Sequence, residues 1–197
     1  MSFPSRKVAE QEIELGEKLA PGKWGDHSRN VARFCEKVAE LSGMDKDKAY
    51  VLGLMHDIGR RSGARGQKHI YDGYVYAKEK GWDDVAKISL THSYAGHDAD
   101  SGVSLYNGDF NDWLFIKEYI KNVQFDDYDK LVFLGDSMAD ATGVCTIEKR
   151  QMDIALRYGY VSEMVEKWHK IFETKAYFEK KCGQSVYEIF PEIRNNI

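Results

Sequence analysis

The chain has 197 residues, of which 43% are hydrophobic and 13% are aromatic, so it carries enough apolar surface for one sizeable core. This composition excludes an intrinsically disordered chain. The 28 Lys and Arg residues against 32 Asp and Glu residues give a net charge of −4, which argues against a dedicated nucleic-acid-binding protein because such proteins carry a basic excess.

The first half of the chain shows the hydrophobic periodicity of helices, with glycine and proline at most of the predicted helix ends. Five helices are predicted, at about residues 5–19, 26–43, 46–59, 69–80 and 83–93. The third helix is apolar on most sides, which predicts a central position in the fold. A glycine-rich, basic loop over residues 60–68 follows it.

The second half begins with a polar, glycine-containing stretch over residues 96–111, which predicts a flexible loop. Four further helices are predicted, at about residues 112–122, 126–141, 147–158 and 162–181, followed by a short apolar tail. We expect the last of these helices, which is amphipathic, to cover the bundle. Because the alternation typical of strands is absent, the sequence predicts a single all-α domain over residues 1–197.

We expect the protein to be cytoplasmic. Its first residues contain acids and lack the apolar core of a signal peptide. The longest nearly apolar run, residues 49–55, is far shorter than the ~20 residues that span a bilayer. The three cysteines, Cys35, Cys145 and Cys182, are widely separated, as expected for free thiols in a reducing compartment.

Four predicted helices each place a side chain of the metal-ligand type on an apolar face: His27, His56 with Asp57, His92 and Asp136. A buried His–Asp pair is costly without strong partners. Such a pair by itself indicates either a hydrogen-bonded core pair or two metal ligands. Independent core histidines explain one or two of these positions but hardly all, so a bound metal is the simplest common partner.

The remaining histidines and one further aspartate carry less information. His69 opens the fourth helix, either as an exposed residue or as a further ligand at the mouth of the site. His97 lies in the polar loop and His169 lies in the C-terminal helix, and we assign neither to the site. Asp140 falls one turn beyond Asp136 on the predicted helix, either as a surface acid or as a residue that orients a ligand.

The order His27, His56-Asp57 and Asp136 resembles the HD-domain superfamily of metal-dependent phosphohydrolases. The segment HSRNVARFCEKVAELSGMDKDKAYVLGLMHDIG is similar to the opening two helices of that family. The segment LGDSMAD is similar to its closing helix, which carries the last aspartate.

Two intermediate segments extend the resemblance. His69 with Gly73 resembles the third-histidine segment, and LTHS supplies His92. The resemblance covers about residues 24–142 and leaves residues 147–197 as a C-terminal helical extension.

The resemblance implies an HD-domain-like helical bundle that holds one or two divalent metals. The core ligands carried over are His27, His56, Asp57 and Asp136. Asp57 would bridge two metals, and His69 and His92 match the extra histidines of binuclear members such as the diadenosine tetraphosphatase-like branch, so a binuclear site is favoured. Eleven residues separate Asp57 from His69, fewer than in many members. Imidazole and carboxylate ligands suit Fe, Mn, Co, Ni or Zn.

A phosphate ester needs cations in addition to the metal, and four follow the dipeptide: Arg60, Arg61, Arg65 and Lys68. They indicate either a solvated basic loop or contacts to phosphate, which guanidinium groups bind with two donors. Arg60 is the first candidate because it directly follows the helix end. We therefore predict Asp57 and Arg60 as catalytic residues and Arg60, Arg61 and Lys68 as substrate-binding residues.

The leading hypothesis is a metal-dependent phosphohydrolase that cleaves a nucleotide or another small phosphate ester with a metal-activated water. Its partner would be this small phosphorylated substrate, with no nucleic acid or membrane, and the protein would be a monomer or a homodimer. One alternative is an HD-fold di-iron oxygenase that cleaves a C–C or C–P bond. Another is a non-catalytic metal-binding sensor, which is disfavoured because no ligand position is missing.

Overall fold

The computed structural model describes residues 2–64, 66–94, 96–101 and 106–196. Arg65 of the predicted basic loop and residues 102–105 of the predicted polar loop lie outside these ranges. Within them the α-helices are α1 (Arg6–Leu19), α2 (Trp24–Ser42), α3 (Lys46–Met55), α4 (Lys68–Glu79), α5 (Asp83–Thr91), α6 (Phe110–Asn122), α7 (Asp127–Asp136), α8 (Ile147–Tyr158), α9 (Glu163–Cys182) and α10 (Val186–Ile189).

Short elements complete the described fold. The 3-10 helices are Ile58–Ser62, Ala99–Ser101 and Pro191–Asn195, and the strands are β1 (Ala139–Asp140) and β2 (Gly143–Val144). The two strands pair antiparallel, with Ala139 opposite Val144. The predicted all-α class is confirmed, and this two-residue hairpin is a minor addition to it.

Two predicted helices are too long. The third ends at Met55 rather than at residue 59, because the chain turns at Asp57 and continues as a 3-10 helix. The seventh ends at Asp136 rather than at residue 141. There the Asp140 carboxylate accepts hydrogen bonds from the backbone N–H groups of Thr142 (2.6 Å) and Gly143 (3.1 Å), and this local bonding favours a turn over a helix.

Helix α3 lies at the centre, as its apolar sequence predicts. Its residues 49–55 are all buried, and it packs mainly against α2 and also contacts α1 and α7. At Gly53 an added Cβ would lie 3.1 Å from the Cα of Ala32 and 3.1 Å from the Sγ of Cys35. The absence of a side chain at this position therefore lets α2 and α3 approach closely.

A second close approach places α4 beside the end of α3. An added Cβ at Gly59 would lie only 2.0 Å from the carbonyl oxygen of His69 and 2.4 Å from the backbone nitrogen of Gly73. The 3-10 helix and α4 therefore touch through their backbones. This contact holds His69 next to Asp57.

A buried carboxylate joins α5 to α7. Asp129 accepts a hydrogen bond from the hydroxyl of Thr91 (2.7 Å) and pairs with the ammonium of Lys87 (2.6 Å). It also forms a capping box with Asp126 at the start of α7, which satisfies the free N–H groups of the first helical turn. These bonds set the relative position of the two helices that end near His92 and Asp136.

The C-terminal part of the chain packs on this bundle. Helix α9 contacts α2 and α7, with Met164, Ile171 and Phe178 buried. The ring of Phe190 stacks on Phe34 of α2 at a centroid distance of 5.1 Å. None of the helices in the described ranges is long and apolar enough to cross a membrane.

The close contact between Gly59 and the backbone of α4 should make this position intolerant of a side chain. The Gly59→Ala variant should lower the free energy of unfolding by about 2–3 kcal/mol, because the new methyl group collides with backbone atoms that cannot rotate away. Chemical denaturation measures the effect. The control is Gly63→Ala, where φ is +78° but an added Cβ meets no atom within 4 Å among the described residues. It should cost only about 1 kcal/mol, and equal costs for both variants would contradict the close approach.

Candidate metal centre

The six side chains predicted as ligands meet in one cluster, and all come from helix ends. They are His27 at the start of α2, His56 and Asp57 directly after α3, His69 at the start of α4, His92 directly after α5 and Asp136 at the end of α7. All are buried except Asp136, whose side chain is 27% exposed. Helix packing thus collects ligands that are distant in sequence.

Three of the histidines share one orientation, in which Nδ1 donates a hydrogen bond to a backbone carbonyl. The bonds run from His56 to Gly53 (2.7 Å), from His69 to Gly66 (2.6 Å) and from His92 to Ile88 (3.0 Å). Because a carbonyl only accepts, Nδ1 carries a proton in each of the three rings, and Nε2 is the nitrogen that faces the cluster. This is the usual arrangement of histidines that bind metals through Nε2.

The Nε2 atoms of His69 and His92 converge on Asp57. Its Oδ1 lies 2.8 Å from Nε2 of His69 and 3.7 Å from Nε2 of His92, and the two Nε2 atoms are 3.4 Å apart. Acceptor atoms this close repel one another unless a positive charge lies among them, from a metal ion or from a second proton on an imidazole. The donor set of imidazole nitrogens and carboxylate oxygen fits a divalent transition metal.

The other side of the cluster is built from His27, His56 and Asp136. Nε2 of His27 lies 3.1 Å from Oδ1 of Asp136, and the rings of His27 and His56 meet edge to face at 5.2 Å. Nε2 of His56 is buried and has no hydrogen-bond partner among the described residues. An unpaired buried nitrogen is costly, and a metal at this position would satisfy it.

The ligand atoms form three overlapping triads, and within each triad the atoms lie within 4.8 Å of one another. The triads are His27 with His56 and Asp57, His56 with His92 and Asp136, and Asp57 with His69 and His92. Sharing of His56, Asp57 and His92 between triads makes the cluster compatible with one metal or with two neighbouring ones.

Burial keeps two of the imidazoles neutral. Burial, together with a smaller contribution from neighbouring His56, lowers the pKa of His92 to about 3. Burial also lowers the pKa of His27, although its hydrogen bond to Asp136 opposes this shift. At neutral pH both rings are therefore in the form that binds metals.

Both carboxylates are held ionised. Burial alone would raise the pKa of Asp57, but the Arg60 guanidinium and His69 hold it well below its usual range. Burial alone would likewise raise the pKa of Asp136, but the hydrogen bond from His27 and the Arg150 guanidinium hold it well below its usual range. The centre thus presents two anionic carboxylates together with the neutral imidazoles of His27 and His92, and a divalent cation binds both kinds of ligand.

The cluster lies at a cavity of about 610 Å³. Arg60 lines this cavity, and its Nε donates a hydrogen bond to Oδ2 of Asp57 at 2.5 Å. Arg150 lines it from α8 and reaches Asp136 through its backbone oxygen (3.2 Å) and its Oδ1 (3.4 Å). The structure therefore brings Arg60 to the cluster, as the sequence predicts, and adds a second arginine.

Arg61 and Lys68, predicted as substrate-binding residues, do not line this cavity. Arg61 donates a hydrogen bond to Glu12 (2.8 Å) and lies over the ring of Tyr76 at 3.9 Å, whereas Lys68 pairs with Asp72 (2.5 Å). A 3-10 helix has three residues per turn, so Arg61 points about a third of a turn away from its neighbour Arg60. The structure thus places both side chains outside the cavity lining, and their substrate-binding role stays a prediction.

The structure also shows where the two remaining histidines and Asp140 lie. His97 donates a hydrogen bond from Nδ1 to the carbonyl of Ile120 (3.0 Å) and does not line the cavity, and His169 is exposed. Asp140 lines the cavity from the hairpin, not from a helix, and pairs with Lys149 (3.1 Å).

Arg150 and Lys167, neither of which was predicted from the sequence, line the cavity from α8 and α9. The signal for Lys167 was present: it lies three residues after Met164 and four before Ile171, on the apolar stripe of α9. A charged residue on such a stripe is expected to have a binding partner, because lysine is rarely buried without one. Arg150 gave no such signal, because only the folded chain brings α8 to Asp136.

Comparison with known proteins agrees with this geometry. The family model for the HD domain matches residues 24–140, more than half of the chain. No curated protein and no solved structure matches the chain significantly. The matched range begins at the first residue of α2 and ends with β1, so it contains all six residues of the cluster.

The geometry predicts how metal content changes on mutation. Asp57→Ala should leave the protein with almost no bound metal, because Asp57 belongs to two of the three triads. His69→Ala should remove about one of two metals, since it belongs to only one triad. Mass spectrometry of protein purified without a chelating tag measures metal per chain.

The matched control for this experiment is His97→Ala, which removes a histidine outside the cluster and should leave metal content unchanged. Full metal content in Asp57→Ala would contradict the assignment of the centre. Unchanged content in His69→Ala would mean either that the centre holds a single metal or that His69 is not a ligand.

Proposed function

The chain belongs to the HD-domain family, and on this basis we propose that it is a metal-dependent phosphohydrolase acting on a nucleotide or another small phosphate ester. The observation that carries the proposal is the convergence of Nε2 of His69 and His92 on Oδ1 of Asp57 beside the cationic side chains of one cavity. Phosphate hydrolysis requires both a metal centre and positive charge around the phosphate.

The proposed ligands are His27, His56, Asp57, His69, His92 and Asp136. They would hold one or two divalent metals, and the sharing of Asp57 between two triads favours two. When bound, such metals lower the pKa of water towards neutrality and offset the negative charge of phosphate oxygens.

Arg60 has two tasks in this proposal. Its Nε holds Asp57 through the 2.5 Å hydrogen bond, which keeps the carboxylate ionised and oriented. Its other nitrogen atoms remain able to bind phosphate oxygens, because a guanidinium has five N–H donors. Arg150 contacts the Asp136 carboxylate at 3.4 Å and also lies 3.7 Å from the carboxylate of Asp153. The two arginines thus lie at opposite ligand carboxylates and would hold a phosphate between them.

The cavity also supports a small substrate. Its volume of about 610 Å³ lies within the range of about 300–1,000 Å³ that small-molecule sites occupy. Trp24 and Tyr158 are among its lining residues, and aromatic rings stack on the bases of nucleotides. A concave site in a chain of net charge −4 favours a nucleotide over a nucleic acid.

The test is phosphate release by metal-loaded protein under nitrogen, with nucleoside monophosphates and simple aryl phosphates as substrates. We expect release that a chelator abolishes and that added metal restores. Arg60→Gln should lower kcat/KM about 100-fold, the loss typical of a charged group that stabilises the transition state. Arg33→Gln is the matched control, because Arg33 pairs with Glu192 at the surface (2.9 Å), and it should change kcat/KM less than about twofold.

The assay under nitrogen distinguishes a phosphohydrolase from an oxygenase, because only the oxygenase requires dioxygen. Turnover that requires both iron and dioxygen, with no phosphate release under nitrogen, would assign the chain to the oxygenase class. Metal binding without turnover in either condition would leave only the sensor function.

A further inference from the structure

Lys167, in the second turn of α9, is a buried cation outside the six-ligand cluster. It is only 6% exposed, and its ammonium donates a hydrogen bond to the carbonyl oxygen of Ser93 at 2.8 Å. An ammonium has three N–H donors. No second acceptor for them is present in the described part of the chain.

This ammonium also lacks a counter-ion. None of the described carboxylates lies within ion-pair distance of its nitrogen. Burial lowers the pKa of Lys167 to about 8, and the negative charge of Asp136 and the positive charge of Arg150 act on it in opposite directions. A buried charge without a partner destabilises a protein, so its presence requires a compensating role.

The position of Lys167 suggests that role. It lines the same cavity as the metal ligands, and its hydrogen-bond partner Ser93 directly follows His92. The cavity is positively charged although the chain carries a net charge of −4. Against four aspartates, the described lining residues include six cations: Lys23, Arg60, Lys149, Arg150, Arg157 and Lys167.

We propose that Lys167 binds the phosphate group of the substrate and selects phosphomonoesters over phosphodiesters. The inference rests on the proposed function, whose substrate class it narrows. Its two unused N–H donors fit non-bridging phosphate oxygens, which are more numerous in a monoester. A monoester also carries a double negative charge, which the cationic lining of the described cavity favours over the single charge of a diester.

The opposing explanation is that Lys167 only ties α9 to the end of α5 through Ser93. The two roles predict opposite effects on stability. Removal of a structural tether lowers the melting temperature. Removal of an unpaired buried charge leaves it unchanged or raises it, while the stabilisation that a bound anion provides is lost.

The experiment compares the Lys167→Met variant with the native 197-residue chain, both as purified. Inorganic phosphate is the first probe, with sodium chloride at matched ionic strength as reference. We expect Lys167→Met to melt at or above the native temperature without phosphate and to lose the rise in melting temperature that phosphate causes. Its Kd for phosphate, from isothermal titration calorimetry, should increase about tenfold or more, the loss expected for a charged hydrogen bond.

Two further variants complete this comparison. Lys170→Met is the matched control, because Lys170 lies one turn further along α9 and pairs with Glu173 at the surface (3.0 Å). It should keep the native response to phosphate. Lys167→Gln removes the charge but retains a donor for Ser93, so it tests phosphate binding even if Lys167→Met fails to fold. Native phosphate affinity in Lys167→Gln, or no phosphate binding by the native chain, would overturn the proposal.

The selectivity is measured with phenyl phosphate and its methyl ester. We expect the native chain to bind phenyl phosphate about tenfold or more tightly than the diester, and this preference should shrink to about threefold or less in Lys167→Gln. Equal affinities in the native chain would contradict the monoester selectivity. These readouts measure binding without turnover, so loss of phosphate affinity in the variant would support the phosphate site even if no phosphate were released in the activity assay.

Discussion

The carboxylate of Asp57 is the group around which the rest of the centre is arranged. It is buried and ionised, a combination that is costly unless positive groups lie close by. The break at the end of α3 meets this demand locally, because the following 3-10 helix turns Arg60 back to within 2.5 Å. The backbone contact of Gly59 with α4 brings His69 to within 2.8 Å. The eleven residues between Asp57 and His69 are therefore sufficient to bring the two side chains together.

Hydrogen bonds within the protein set the orientation of the ligands of the centre. His56 and His92 each donate a hydrogen bond to a carbonyl of the helix that they follow, so the orientation of the ring is tied to the helix itself. The buried network of Asp129 with Lys87 and Thr91 then fixes α5 against α7. Ligands on rigid helix ends lose little conformational freedom on binding, which favours tight and selective metal sites.

The proposed metal ligands and the additional cavity-lining cations come from different parts of the chain. All six ligands lie within residues 24–140, the range that the HD-domain model matches. Arg150 and Lys167, which line the same cavity, come from the C-terminal helices beyond that range. Metal binding would thus depend on the part that the family model matches, and the choice of substrate would depend on helices outside that range.

The sequence by itself determined the all-α class, because helical periodicity is a local property of consecutive residues. It also identified five of the six residues that the structure brings together, since a polar ligand-type side chain on an apolar stripe is visible without knowing what the stripe packs against. The sixth, His69, was indicated only by the resemblance to the HD-domain family. Only the tertiary structure decided which cations reach the cavity. Arg60 and Arg61 are equivalent in sequence but point to different sides of a 3-10 helix, and Lys167 meets Ser93 across 74 residues. Such contacts depend on how helices pack, which local patterns do not encode.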